Sequence, residues 1–308
     1  MLASVDIVIV NWNSGSQLFQ CIASIRAYRA ALVGRCTVVD NGSTDGSADF
    51  LEAAADVDLV KAGQNLGFGR ACNLGAARGD SPFILFLNPD ARLLPESLEA
   101  ALAHMLAPEN AKVGIVGVQL VGEDGQVQRT CAFAPTPGRL VAKSLGLTAF
   151  FKQWDVHMSA WDHAETRKVD HVMGAFFLMR REVFDLLYGF DERFFVYLED
   201  LDLSVRAAQA GFSTTYLANA QAFHKGGGVS EQVKAHRLFY SLRSRIQYAF
   251  KHFSPFAALC VTCSTLLIEP LSRFALLAGT GRWREVGDLF RGYRMLWGWV
   301  VTDGGRKQ

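Results

Sequence analysis

In the first third of the chain, short unbroken apolar runs alternate with stretches whose apolar positions recur at helical spacing. "VDIVIVN" (5–11), "CTVVDN" (36–41), "VDLVKAG" (57–63) and "PFILFLN" (82–88) are rich in β-branched and aromatic residues. Continuous runs of this kind suit strands buried on both faces of a parallel sheet. The stretches "SGSQLFQCIASIRAYRA" and "SADFLEAAAD" between them read as helices. The alternation predicts an open, doubly wound α/β sheet with helices on its faces.

The middle of the chain makes the sheet mixed. "KVGIVGVQLV" (112–121) is a further strand, and Asp124-Gly125 is a favoured type I′ turn leading back into "QVQRT" (126–130). Residues 135 to 168 show no clean period and are expected to be irregular, at the rim of an active site. Order returns with a strand in "HVMGAFFLM" (171–179) and a helix in "RREVFDLLY" (180–188) closed by Gly189. A helix in "EDLDLSVRAAQA" (199–210) closed by Gly211 follows, then a last strand, "STTYLANAQAFH" (213–224).

Past residue 234 the pattern changes. In "AHRLFYSLRSRIQYAFKHF" the apolar residues Leu238, Phe239, Leu242, Ile246, Ala249, Phe250 and Phe253 form a helical stripe. Arg237, Arg243, Arg245 and Lys251 fall mostly off it, which makes a basic amphipathic helix. "PFAALCVTCSTLLI" is then apolar until Glu269-Pro270, and "LSRFALLAG" is interrupted by Arg273. A bilayer-spanning helix needs about 20 apolar residues, so this run is short for a span and better suited to an in-plane or re-entrant segment. Helices packed on the catalytic domain would give the same pattern. The division expected is a catalytic domain over 1–234 and a basic, partly apolar helical segment over 235–308.

Charge supports that division. The 308 residues are 50% hydrophobic, enough for a large core, and carry a net charge of only +1. From Lys225 onward there are 13 Lys+Arg against 5 Asp+Glu, which leaves 18 against 25 before it. The basic end would favour an anionic membrane surface. Nothing points to nucleic acid as a partner, and oligomeric state is left open. Six scattered cysteines and a start without a basic n-region or cleavage site imply a reducing, cytoplasmic setting. Cys260 and Cys263 form a CxxC with no second pair and no nearby histidine, so all six are read as small buried apolar side chains.

In an open α/β sheet, ligands bind beyond the carboxyl ends of the strands. Polar residues gather there: Asn11 and Asn13 after the first strand, Asp40 and Asn41 after the second, Asn88 and Asp90 after the fourth. Pro89 removes a backbone donor and biases Asn88 toward extended geometry, so it ends the strand and presents Asp90. "VVDNGSTDGS" could wrap a ligand closely, and an aspartate at its start can accept from a ring N–H of uracil or thymine. "NLGFGRACNLGAARG" lacks the third glycine of a dinucleotide fingerprint, and no GxxxxGK[ST] is present. Glu199, Asp200 and Asp202 open a helix behind Phe194, Phe195 and Tyr197, where a carboxylate beside apolar walls can serve as a general base. Asp202 can instead pair with Arg206 at i, i+4. His224 ends the last strand before Gly226, Gly227 and Gly228, which could let the loop move, and with Asp90 it could bind Mg²⁺ or Mn²⁺.

Together "VIVNWN", "VVDNGSTDGS", "NLGFGRACNLGA", "FLNPDA", "GAFFLMRREVF", "GFDERFFVYLEDLDLSVRAAQAGF" and the histidine before a glycine loop resemble the inverting glycosyltransferases of family 2. They are most similar to the rhamnosyltransferase-like branch that builds bacterial surface polysaccharides. The resemblance spans about residues 4 to 250. It implies a GT-A fold, Rossmann-like, with a mixed, mostly parallel sheet flanked by helices and followed by an amphipathic helical extension. It also implies a nucleotide-sugar donor, dTDP-rhamnose first and UDP-sugars next, a divalent cation, and a lipid-linked or polysaccharide acceptor at the inner face of the membrane. Asp40 would hold the base, with Asn11 and Asn65 lining the same pocket, and Asn88 and Asp90 would also bind the nucleotide-sugar. Asp90 takes the place of the metal-binding aspartate, with His224 as a further contact, and Asp200 matches the catalytic base with Glu199 and Asp202 beside it. Asn88 stands where many relatives carry another aspartate. A non-catalytic nucleotide-sugar sensor would lose the base or the metal ligand, and both are present. A nucleotidyltransferase would want a basic phosphate loop after the first strand, and "NWNSGSQLF" offers none.

Overall fold

The computed structural model describes residues 4–28, 32–226 and 234–302. In chain order it contains β1 (Val5–Asn11), α1 (Gln17–Ala27), β2 (Val33–Asp40), β3 (Asp58–Lys61), α2 (Phe68–Ala76), β4 (Phe83–Leu87), β5 (Ala91–Leu93) and α3 (Ser97–Leu106). Next come β6 (Val113–Val121), β7 (Cys131–Ala132), α4 (Pro137–Ser144), β8 (Arg167–Val169), β9 (His171–Val172), β10 (Phe176–Arg180), α5 (Arg181–Leu186), α6 (Glu199–Gln209) and β11 (Ser213–His224). The chain ends in α7 (Lys234–His252), α8 (Pro255–Cys263), α9 (Glu269–Gly279) and α10 (Val286–Thr302). Gly227 and Gly228, expected to loosen the loop after His224, lie outside the described residues. Two compact units result: residues 1–134, 161–195 and 199–229 form the first, and residues 135–160, 196–198 and 230–308 the second.

The first unit is built on a nine-stranded sheet of order β3-β2-β1-β4-β10-β6-β11-β5, with β8 also paired to β11. β1 to β4, β6 and β11 run one way, while β10, β5 and β8 oppose them. The sheet is therefore mixed and mostly parallel, as expected. β1 and β4 are buried along their whole length, which is why their sequences carry no polar alternation. Asp6 is the exception within β1. It accepts from Ser81 N (2.9 Å), Ser81 Oγ (2.7 Å), Arg35 N (3.0 Å) and Arg181 Nη2 (2.8 Å), so this buried carboxylate is fully partnered.

Several expectations need correction. The helix expected in "SADFLEAAAD" is only a 3-10 turn, Asp49–Leu51. Its first residues are consumed by the preceding loop, since Ser47 N and Ser47 Oγ bond Asp45 and Asn11, and what remains is too short to nucleate an α-helix. Gly125 alone in the turn after β6 has positive φ (71°), and Gly125 N bonds Gly122 O. The turn is therefore centred on Glu123-Asp124 with a left-handed glycine after it, and is not type I′. Its return arm makes one bridge, Val121 to Val127, before β7 leaves to pair with β9. The stretch 135–168 contains α4, capped by Thr136 with Pro137 at its first position, and β8. The single strand expected over 171–179 is broken at Met173-Gly174-Ala175 into β9 and β10. α3 and β5 were not expected.

In the second unit, α8 runs through a π-helical turn, Ser264–Ile268, into α9, giving one helix of 25 residues over Pro255–Gly279. The helix continues through Glu269-Pro270, where the widened turn accommodates a proline that lacks an N–H donor. By length and composition alone this helix is able to cross a bilayer. Glu269 near its middle is buried, bonded to Arg245, to Arg273 (2.7 Å) and to Ser144 Oγ (3.0 Å). Arg245, expected off the apolar stripe of α7, is thus buried with it, while Phe250 on that stripe is exposed. Leu242 and Ile246 of α7 pack with Leu266 and with Leu289, Tyr293 and Leu296 of α10. Four cysteines are buried, but Cys260 and Cys263 are exposed on one face of α8.

Candidate active site

The parallel register sets Asn11 beside Asp40, so β1 and β2 end together. Asn11 is wholly buried, and its amide is shared among Asp40 Oδ1 (3.0 Å), Ser43 Oγ (3.0 Å) and Ser47 Oγ (2.9 Å). It also accepts from Ser14. Asn11 therefore orients Asp40 and braces the loop that follows, instead of offering its own amide to a ligand. Asn13, held at φ 49°, accepts from Thr44 N (2.8 Å), which ties the two loops once more.

Asn41 extends this corner toward α2. Its amide donates to Asn65 Oδ1 (3.1 Å) and its carbonyl accepts from Leu66 N (2.8 Å). Asn65 is exposed and also accepts from Gly67 N (3.0 Å). Gly67 has φ 85°, and a Cβ there would collide with the carbonyl oxygen of Phe195, which accepts from Phe68 N (2.7 Å). Only glycine allows the loop before α2 to lie this close to the chain leading into α6.

A second corner forms where β5 pairs antiparallel with β11, with Ala91 opposite His224. The pairing brings Asp90 Oδ1 to 3.5 Å from His224 Nε2. Gln128 grips the other side of the imidazole: its Nε2 donates to His224 O (2.7 Å) and its Oε1 meets His224 Nδ1 at 2.9 Å. With that oxygen as acceptor, Nδ1 carries the hydrogen and the lone pair of Nε2 is directed at the carboxylate. Two electron donors facing each other are the chemistry of a cation site, and a second partner fixing the tautomer is the usual support for a histidine ligand. Among the described residues no group of three His, Cys, Asp or Glu side chains could hold a metal. Two ligands suit an ion such as Mg²⁺ that takes its remaining oxygens from a substrate and water. Asn88 is half-buried and is held by its backbone, with its N donating to Ala175 O (3.0 Å). Gln128 carries no motif and was missed by sequence reasoning; it lies 96 residues from His224.

The third cluster opens α6. Tyr197 (φ 70°) and Leu198 (φ 67°) are consecutive left-handed residues that turn the chain sharply into the helix. Asp200 accepts from Gly174 N on Oδ2 (2.9 Å) and from Leu201 N on Oδ1 (2.8 Å), so both oxygens are aimed by the backbone. His171 Nε2 lies 3.6 Å from the same Oδ2. Glu199 is buried and its Oε2 has no hydrogen-bond partner. Burial first, and then the charge on Asp200, push its carboxyl well above the usual range, so it is held neutral. Asp202 is fully buried against Arg206 (2.7 Å), whose other nitrogens bond Leu187 O and Gly189 O. This pair anchors α6, and the carboxylate is not presented to a ligand.

The second and third clusters are joined by backbone: Asn88 N bonds Ala175 O while the adjacent Gly174 N bonds Asp200. Asn11, Asp40 and Asn65 are brought into one corner, Asp90 and His224 into another, and Asp200 with Glu199 into a third.

Comparison with known proteins identifies the family and the fold. The sequence model of the family described as Glycosyl transferase family 2 matches residues 6–187, more than half of the chain. The chain is 29% identical over 238 residues to the N-acetylglucosaminyl-diphospho-decaprenol L-rhamnosyltransferase of Mycobacterium tuberculosis, covering 71% of this chain and 75% of that one. It is 24% identical over 204 residues to the rhamnosyltransferase WbbL of Escherichia coli, covering 63% and 74%. Among solved structures, a mannosyltransferase from Pyrobaculum calidifontis in complex with GDP-Man and Mn²⁺ is similar in fold, with a TM-score of 0.55, 16% identity, and 99% and 88% of the two chains covered.

The neutral state of Glu199 has a measurable consequence. Its folded pKa is raised, so its contribution to stability is full below the unfolded value of about 4.3 and is lost as pH rises toward the folded value. Across that window wild type loses about 1.4 kcal/mol per pH unit from this group. Glu199→Gln keeps a neutral side chain, so its stability relative to wild type, from urea unfolding at a series of pH values, is expected to grow as pH rises above about 4.5. Parallel curves for the two proteins would contradict the assignment.

Proposed function

We propose that this chain, which belongs to glycosyl transferase family 2, moves a sugar from a nucleotide-sugar donor to a hydroxyl of a lipid-linked or polysaccharide acceptor with inversion at the anomeric carbon. That it is a glycosyltransferase of GT-A fold stands on the family match and the fold comparison. dTDP-rhamnose is the favoured donor, supported by the two relatives named as rhamnosyltransferases, with a UDP-sugar as the alternative.

The observation that carries the reading is the pair of hydrogen bonds at adjacent residues, Asn88 N donating to Ala175 O and Gly174 N donating to Asp200, which keeps the carboxylate next to the strand end that leads to Asp90. In the proposed reaction Asp200 removes the acceptor hydroxyl's proton as its oxygen bonds to the anomeric carbon. The bond from that carbon to the diphosphate oxygen breaks, and the electron pair leaves with the nucleoside diphosphate. Direct displacement needs no covalent enzyme intermediate. Asp40, oriented by Asn11, accepts from the base, and Asn41 with Asn65 shapes the loop around it. Asp90 and His224 would hold Mg²⁺ or Mn²⁺, which would supply stabilisation of the charge developing on the diphosphate. Asn88 in place of a second carboxylate would leave that ion with one charged protein ligand fewer.

The second unit supports peripheral attachment to the inner face of the cytoplasmic membrane. Phe256, Leu259, Leu267, Leu271, Phe290 and Trp297 are exposed on its helices, more apolar surface than a soluble face needs. The excess of arginine and lysine beyond Lys225 provides attraction to anionic headgroups. Glu269 and Arg273, paired near the middle of the long helix, favour an in-plane position over a span.

Asp200→Asn is expected to lower transfer by about 10²- to 10⁴-fold while donor affinity, by calorimetry, changes little. In the same assay a chelator should stop turnover and Mg²⁺ or Mn²⁺ restore it. Full activity in the variant would remove Asp200 as base, and a rate indifferent to chelator would remove the metal role of Asp90 and His224. In flotation assays, the protein should bind vesicles containing phosphatidylglycerol at low salt and be released by high salt or by Phe256→Glu with Leu271→Glu. Wild type that stays in solution at low salt would end the attachment proposal.

A further inference from the structure

His171 was read from sequence only as the first residue of an apolar strand, yet its ring is buried against the base. Two hydrogen bonds fix its state. Ser204 Oγ, fully buried, donates to Asp200 O at 3.0 Å, which uses its only hydrogen. The same oxygen lies 3.0 Å from His171 Nδ1 and can therefore only accept, so Nδ1 carries the ring's hydrogen. In the neutral ring Nε2 is then a lone pair, 3.6 Å from Asp200 Oδ2. That is longer than a hydrogen bond, as expected for two acceptors facing each other. One proton added to either group turns the contact into an attraction that can close to about 2.9 Å.

We propose that His171 is the positioning partner of Asp200 and holds the proton that Asp200 takes from the acceptor hydroxyl. The inference rests on the reading of Asp200 as general base. The acceptor O–H bond breaks as its oxygen joins the anomeric carbon, and the proton passes to Asp200 Oδ2 and on to His171 Nε2. Imidazolium and carboxylate remain, and the proton leaves to solvent before the next turnover. The pair is competent when Asp200 is ionised and His171 neutral, and a proton bound from solvent blocks it.

The other groups around the pair leave this role to His171. Glu199 is held neutral by burial and by the charge on Asp200. Asp202 is neutralised by Arg206. The thiol of Cys72 on α2 is pushed up by burial and then by Glu199 and Asp200. Asp170, next to His171, accepts from Ala134 N (2.9 Å). An imidazole ordinarily titrates near 6.5, within the range where an enzyme works.

The test is the pH profile of kcat/KM for transfer, with donor affinity measured alongside. Wild type is expected to lose activity on acidification in the imidazole range, about 6 to 7. In His171→Gln the acidic limb should move to lower pH by about one unit or more. The plateau kcat should drop about tenfold with the donor KM little changed, because the proton has lost its second holder. A limb that does not move in a folded, donor-binding variant overturns the inference. If His171→Gln does not fold, Ser204→Ala, which releases the tautomer, must move the same limb in the same direction, and an unmoved limb there is equally fatal. Full activity in Asp200→Asn would sink the general-base reading itself, whereas an inactive Asp200→Asn with an unmoved limb in His171→Gln sinks only the role of His171.

Discussion

The backbone break at Gly174-Ala175 is the constraint on which the candidate site depends. If β9 and β10 ran as one strand, both peptide groups would be spent on the sheet. Ala175 O takes Asn88 N as the last rung of the β4–β10 pairing, and the break just before it leaves Gly174 N to take Asp200. A Cβ at residue 174 would stand 3.0 Å from Asp200 Oδ2, so glycine lets the carboxylate approach this closely. The strand end that leads to Asp90 and the helix start that carries Asp200 are thus held in register by neighbouring residues. Preorganisation of this kind lets a site stabilise charge without rearranging as the reaction proceeds.

Electrostatics follow from that frame. Three acids open α6, and each is treated differently: Asp202 is neutralised by an internal arginine, Glu199 is kept protonated by burial, and Asp200 alone is partly exposed with both oxygens aimed by N–H groups. Dividing carboxyl groups into neutral, paired and usable members is how one helix end can hold three of them. At the other corner, Gln128 settles the tautomer of His224 much as Ser204 settles that of His171. Each histidine is therefore turned by a neutral partner so that its unprotonated nitrogen faces an aspartate.

The strands of the parallel half were legible because burial on both faces leaves an unbroken apolar run, as in β1 and β4. The polar exits Asn11, Asp40 and Asp90 were legible because open sheets bind at their carboxyl ends. What stayed hidden was short, or set by partners far along the chain. β5 has three residues and no period to detect, and α4 announces itself only through Thr136-Pro137. His171 sits in an apolar run, and its contact with Asp200 depends on a fold that brings together positions 29 residues apart. Asn11 was expected to line the nucleotide pocket, and its burial and its bond to Asp40, which no spacing could reveal, give it the task of aiming that carboxylate.

The central claim is a single displacement, with Asp200 on the acceptor side and the leaving diphosphate opposite. The direct measurement is the anomeric configuration of the transferred sugar, read by NMR on product made from a donor of known configuration. The account predicts a linkage of opposite configuration to the donor's bond to phosphate. Retention of the donor's configuration would contradict it, because it requires a second displacement or a same-face attack that an acid-base aspartate does not supply.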